Sequence, residues 1–266
     1  IWFPGAMTFG YPGVMGPTWM ETFGVGKGAV GLSLFFLLAT VGCFMFIAGK
    51  LQEKYGARAM VRTGSVVVGA GALVSAHAGN ITMVYGWALL NGIGVSLIYI
   101  PVLTIVQNWY PQKRGLVSGI VNLSFGISAA AMAPVFAHML EVMPYRTMNL
   151  FIGFVALITG FFASYFIDLP EQVLVSDSRA SSQGLKPAAD PTPQAAPREF
   201  TLGEALRTKA FWSIWFVWAF VGASCISMVT LSIPFGLFRG FSFSEAVWIL
   251  MSFNLTSGLI RILAGY

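Results

Sequence analysis

GKLQEKYGAR, residues 49–58, stands between two long apolar runs, residues 28–49 and 60–79, and concentrates charge where each run stops. Lys50, Glu53, Lys54 and Arg58 cannot lie in hydrocarbon without compensation, whereas each flanking run is about long enough to cross it. The stretch therefore reads as a loop between two membrane helices. Apolar runs bounded by charge recur at about 1–20, 81–107, 115–137, 147–167, 210–235 and 246–266, giving eight in all. They are too long for the strands of a barrel, which need roughly ten residues. With 56% hydrophobic and 9% charged residues, a chain of 266 residues has too little polar surface to cover a soluble globule. The fold class is an all-α membrane protein.

Charge bias orients the helices. The loops after the second, fourth and sixth runs, with their flanks, carry eleven basic residues, among them Lys50, Lys54, Arg58, Arg62, Lys113 and Arg114; the opposite loops carry Lys27, Arg146 and Arg239. The positive-inside rule puts the first set in the cytoplasm, so the net charge of +5 is a topology signal and gives no support to nucleic-acid binding. Localisation is expected in a plasma membrane, the inner membrane if bacterial. Residues 168–209 differ in kind: SDSRASSQGLKPAADPTPQAAPRE is rich in Ala, Ser and Pro and reads as a mobile cytoplasmic linker. Thr201 and Glu204 have capping-box spacing, so the linker is expected to end in a short amphipathic helix, TLGEALRTKAF. The expected domains are a six-helix bundle over 1–167, the linker over 168–209, and the first two helices of a second bundle over 210–266.

The chain opens and stops inside apolar segments, and a truncated polypeptide is expected. Internal repetition agrees: Phe46-Ile47-Ala48-Gly49 closes the second run as Ile262-Leu263-Ala264-Gly265 closes the eighth, and Pro17 precedes Ala29-Val30 by the spacing at which Pro234 precedes Ala246-Val247. Two halves of six helices are implied, the second ending after its second helix, and eight helices alone are expected to be inactive. Cys43 and Cys225 both lie within spans and read as small packing residues.

Arg261 is the one charge in AVWILMSFNLTSGLIRILAGY, residues 246–266. A cation inside a membrane helix costs roughly 2.5–3.5 kcal/mol on insertion scales, so it either snorkels to the interface or faces a cavity, a partner or an anion. No nucleophile–base constellation, phosphate loop or metal-ligand cluster stands beside it; GVGKGAVG, residues 24–31, lacks phosphate-loop spacing, and His77 and His138 have no ligand companions. Neither an enzyme, a cofactor nor a metal is indicated.

The loop at 49–58 resembles the loop between helices 2 and 3 of the major facilitator superfamily, with Gly49, Glu53, Lys54, Gly56 and Arg58 at the recurring positions. Glu53 stands where the family usually has Asp, and Ala57 where it has a basic residue. The resemblance implies that fold, truncated to about eight of twelve helices, and a cytoplasmic gate at these five residues, with a tight turn at Gly56 and charges that pair with neighbouring helix ends. NWYPQKRGLVSG (108–119) and EALRTKAFWSIW (204–215) resemble the oxalate/formate antiporter group, which is related to the monocarboxylate transporters. In the first stretch Pro111 stops the fourth helix, and Gly115 with Gly119 offers a small face for packing.

This resemblance implies a secondary transporter that exchanges small carboxylates such as oxalate, formate, pyruvate or lactate by alternating access, as a monomer in the bilayer. It also implies that Arg261 binds the carboxylate, within an aromatic cage to which Tyr11, Tyr99 and Phe125 belong. Phe125 stands where the carrier has a third tyrosine. The monocarboxylate transporters have an acid one turn before the helix 8 arginine and a lysine in helix 1; here Ser257 fills the first position and residues 1–20 hold no lysine. Both differences disfavour that proton-symport machinery. A symporter or facilitator of another solute, or a non-transporting receptor or interaction subunit, are the alternatives.

Overall fold

Helix follows helix wherever the apolar runs stand. The computed structural model describes residues 1–167 and 202–265. The first run forms α1 from three contiguous segments: an α turn, Trp2–Gly5, a π turn, Ala6–Gly10, and an α segment, Tyr11–Phe23. Then come α2 (Lys27–Tyr55), α3 (Ala57–Ala76), α4 (Ile81–Trp109), α5 (Arg114–Val142) and α6 (Tyr145–Ser164). One helical turn, Leu202–Ala205, precedes α7 (Lys209–Phe238) and α8 (Phe243–Gly265). Among the described residues, seven of these helices are long and apolar enough to cross a membrane; α1 is divided by its π turn.

Helix ends explain where the expected boundaries shift. The stretch at 49–58 is almost wholly helical, because Lys50, Gln52, Glu53 and Lys54 are good helix formers once outside hydrocarbon, and α2 continues to Tyr55. Only Gly56 breaks the rod. Its φ of 77° is one that side chains rarely adopt, and a Cβ there would meet nothing within 4 Å, so conformation and not space calls for glycine. Pro111 begins a 3-10 turn, Pro111–Lys113, that separates α4 from α5. Thr201 of the expected capping box lies outside the described residues, and the expected amphipathic helix is a single turn there. A capping box does form elsewhere, at the start of α8: the Ser242 N–H and hydroxyl donate to Glu245 Oε2 at 2.8 and 2.7 Å, and the Glu245 N–H donates back to Ser242 Oγ at 3.3 Å.

The chain divides into two compact units, Ile1–Asp168 with Met228–Tyr266, and Leu169–Ser227. In the first, α4 packs against α2 and α3, α3 also packs against α6, and α5 carries α1 on one side and α8 on another. Contacts of small residues bring the backbones close, as membrane helices require in the absence of a hydrophobic drive between them. A Cβ on Gly126 of α5 would stand 2.8 Å from the Gly258 Cα of α8, and one on Gly5 of α1 would collide with the Phe125 carbonyl of α5. Of the expected packing face on α5, Gly119 is buried and Gly115 exposed. Cys43 and Cys225 are exposed on their helices, which corrects the expectation that they fill packing gaps; both are free thiols.

In the second unit, Thr208 Oγ1 accepts the Phe211 N–H at 3.2 Å and caps α7, and the Trp212 Nε1–H donates to the Leu206 carbonyl at 2.9 Å. Trp212, Trp215 and Phe216 stack edge to face along this end of α7, and Trp218 and Phe220 stand exposed. Aromatic rings of this kind suit the membrane interface.

Candidate functional site

Asn254, Gly258 and Arg261 recur along α8 at helical spacing, so one face of the helix is polar or small in an otherwise apolar rod. That face meets α5. Gly258 lies against Gly126 and Ile127, Asn254 is buried with its amide donating to the Leu250 carbonyl at 3.1 Å, and the Arg261 Nη1–H donates to the backbone carbonyl of Asn122 at 3.1 Å. Ser257, one turn before Arg261, is half-buried.

Asn122 gathers the rest of the cluster. Its side-chain oxygen accepts the Tyr99 hydroxyl of α4 at 2.7 Å, and its amide donates to the Ser118 carbonyl at 2.8 Å. One turn along α5 the Phe125 ring stands edge-on to Tyr99, with centroids 5.6 Å apart, and to Phe9 of α1 at 5.8 Å. The structure therefore brings Arg261, Tyr99 and Phe125 together as one cluster on three helices. A guanidinium and aromatic ring edges present positive character, which suits a carboxylate, and the Tyr99 O–H, given to Asn122, holds its ring in place among them.

Tyr11 belongs to a different cluster. It is fully buried; its hydroxyl donates to the Asn149 side-chain oxygen of α6 and pairs with Ser75 Oγ of α3 at 2.9 Å and with the Tyr145 hydroxyl at 3.5 Å. Ser75 and Tyr145 also pair at 2.7 Å, and the Trp19 Nε1–H donates to Tyr145 at 3.0 Å. The Tyr11 ring lies among Trp19, Trp87 and Phe136.

The expected gate residues are arranged along the α2–α3 junction. Gly49, Glu53 and Lys54 lie on the last two turns of α2, with Glu53 and Lys54 exposed and the Lys54 ammonium 5.2 Å from the centre of the Tyr55 ring. Arg58, in the first turn of α3, donates to the Ile167 carbonyl at 3.2 Å, just past the end of α6, where helix carbonyls favour a cation. Arg62, one turn further, donates to Ser164 Oγ at 2.9 Å and lies 4.9 Å over the Tyr165 ring.

Sequence reasoning missed Asn122, Phe9 and Arg62. The signal for Asn122 was its spacing, one turn before Phe125 and Gly126 in an apolar helix. For Phe9 it was the density of Gly and Pro in α1, where Gly5 and Gly10 lie against α5 and the π turn between them re-aims the side chains. His77 and His138 are exposed; His138 Nδ1 lies 3.6 Å from Glu141, and no group of metal ligands forms among the described residues.

Over 188 residues, 71% of this chain and 42% of the relative, the sequence is 26% identical to the oxalate:formate antiporter of Oxalobacter formigenes. It is 25% identical over 170 residues, 63% of the chain, to the uncharacterized MFS-type transporter YhjX of Escherichia coli K12, covering 39% of that protein. Monocarboxylate transporter 13 of Rattus norvegicus is 31% identical over 112 residues, 42% of this chain and 26% of its own. The chain thus spans less than half the length of each of these relatives. Residues 3–266 match the Major Facilitator Superfamily, so that this all-helical chain with its candidate spans belongs to that family of integral membrane transporters and not to an enzyme family.

Proposed function

We propose that the protein carrying this chain moves small carboxylates across the membrane by alternating access, by exchange, with Arg261 as the carboxylate ligand. The observation that carries the reading is the half-buried Arg261 guanidinium of α8, held at 3.1 Å to the backbone carbonyl of Asn122 on α5, the residue whose side chain also holds the Tyr99 hydroxyl at 2.7 Å. In a site of low dielectric a guanidinium grips a carboxylate through two parallel hydrogen bonds far more strongly than in water. Phenylalanine at 125 offers a ring edge in place of a hydroxyl, which suits a substrate with one apolar side. Ser257 offers no carboxyl group to carry a proton one turn from Arg261, which supports exchange over symport at this position. The relatives named for oxalate, formate and monocarboxylates support the same class of substrate.

The test is uptake and counterflow of labelled oxalate, formate, pyruvate and lactate in proteoliposomes of the full-length protein carrying this chain. Saturable exchange of at least one of them is expected, falling at least ~100-fold in kcat/KM with Arg261→Gln, since losing a charge-assisted bidentate pair costs about 3 kcal/mol or more. Carboxylate exchange that survives the substitution would return Arg261 to a snorkelling role; no carboxylate exchange would sink the substrate class.

A further inference from the structure

Asn122 touches both donors of the cluster, and it does so with different atoms. Its backbone carbonyl accepts from Arg261 at 3.1 Å and its side-chain oxygen accepts from Tyr99 at 2.7 Å, while its amide is anchored on the Ser118 carbonyl at 2.8 Å. Ser118 is itself fixed, with its hydroxyl donating to the Arg114 carbonyl at 2.6 Å and accepting the Gln107 amide of α4 at 2.8 Å. The side chain of Asn122 is therefore held at one end and holds Tyr99 at the other. We infer that Asn122 is a positioning residue of the carboxylate site, setting the direction of the Tyr99 hydroxyl beside the Arg261 guanidinium. The inference rests on the carboxylate reading above.

The chemistry favours exchange of partners at this point. A backbone carbonyl has two lone pairs, and within α5 one of them faces the N–H four residues on, at Gly126, so Arg261 takes the second. That bond joins a cation to a neutral acceptor. A carboxylate arriving at the same guanidinium is a charged acceptor, and its hydrogen bonds are roughly twice as strong. Arg261 can turn from Asn122 to the substrate with a net gain, while Tyr99, its one O–H still given to the Asn122 side-chain oxygen, keeps its ring and the positive ring edge fixed for the arriving carboxylate without searching its rotamers. The turn of α5 that accepts Arg261 is also the turn on which Gly126 meets Gly258 of α8, so the carboxylate ligand and the closest approach of these two helices share one segment.

Three substitutions test this in the full-length protein, with transport kinetics in proteoliposomes and oxalate-induced thermal stabilisation of the solubilised protein as a second measure of affinity. Asn122→Ala is expected to raise KM by about fivefold, the worth of one hydrogen bond, with kcat little changed. Tyr99→Phe is expected to do the same, and the double variant no more than either alone, because both remove one shared bond. Asn122→Asp keeps the acceptor for Tyr99 but sets a carboxylate beside Arg261, and it is expected to weaken anion binding by more than Asn122→Ala does. An unchanged KM in Asn122→Ala, or effects of Asn122→Ala and Tyr99→Phe that multiply, would overturn the inference. Asn122→Asp binding as well as wild type would also overturn it. The carboxylate reading fails separately, through Arg261→Gln: if that variant loses exchange while Asn122→Ala is silent, only the positioning role is lost.

Discussion

Two polar clusters lie inside the same apolar bundle, and they are built to opposite ends. The Tyr11 cluster is neutral, draws on α1, α3 and α6, and closes on itself: Tyr11, Ser75, Tyr145 and Asn149 exchange hydrogen bonds among themselves, with Trp19 donating in. Its central residues Tyr11, Ser75 and Asn149 are buried completely. The Arg261 cluster contains a cation, draws on α4, α5 and α8, and leaves Arg261, Tyr99 and Asn122 partly accessible. A closed neutral network in low dielectric fixes helices against one another, since opening it strands several buried groups. Arg261, half-buried and donating to a neutral backbone carbonyl, is the group to which the proposed function gives the carboxylate. On the function proposed above, the contrast separates the part of the bundle that holds from the part that responds.

The largest effect should come from the contact that brings α8 to α5. Gly126→Leu would drive a side chain into the Gly258 backbone, at a cost of ~3 kcal/mol, the top of the overpacking range, with Arg261 carried away from Asn122. Thermal unfolding in detergent should show the loss, and exchange should disappear; wild-type melting and transport would mean that α5 and α8 do not meet there.

Next, Tyr11→Phe removes the hydroxyl at the centre of the neutral cluster and leaves Ser75 and Asn149 short of a partner, which should cost ~1–3 kcal/mol of stability with KM for the carboxylate unchanged. A raised KM with unaltered melting would instead make Tyr11 a cage residue, as the family resemblance implies, and erase the distinction between the clusters. Arg261→Leu should move stability the other way, raising it by ~1 kcal/mol, because replacing a buried ionic group with an apolar one of similar volume is often neutral or favourable. A large drop in melting temperature would show that Arg261 holds the bundle together.

The smallest effect isolates burial. The His77 Nδ1–H donates to the Leu73 carbonyl at 2.9 Å, which leaves Nε2 to accept from Arg146 at 2.8 Å, and so the same α3–α6 pair that Ser75 and Tyr145 join inside is joined again at the surface. His77 and Arg146 are exposed, and His77→Ala should change stability by less than ~0.5 kcal/mol in the same melting experiment. A cost equal to that of Tyr11→Phe would show that burial is not what distinguishes the networks.

Much of this was legible in the sequence because the bilayer imposes a long, uniform requirement. Apolar runs between charges located α1–α8, and the odd charge in the last run singled out Arg261. The ends of helices were less legible, since α2 runs on through Lys50–Tyr55 with no hydrophobic signal to mark it, and only the φ of Gly56 sets the break. Tyr11 and Tyr99 look alike in sequence, aromatic residues in apolar helices, yet one is locked among Ser75, Tyr145 and Asn149 and the other shares Asn122 with Arg261. Asn122 gave a local hint and no partner. What the chain determined by itself is therefore its class, its helices and the cation in its last span, because hydropathy and charge act on each segment independently. Which residues surround that cation was decided only by tertiary packing, where Gly126 and Gly258 let two helices approach closely enough for Arg261 to reach Asn122. Such a contact joins residues more than a hundred positions apart, and no local pattern encodes the pairing.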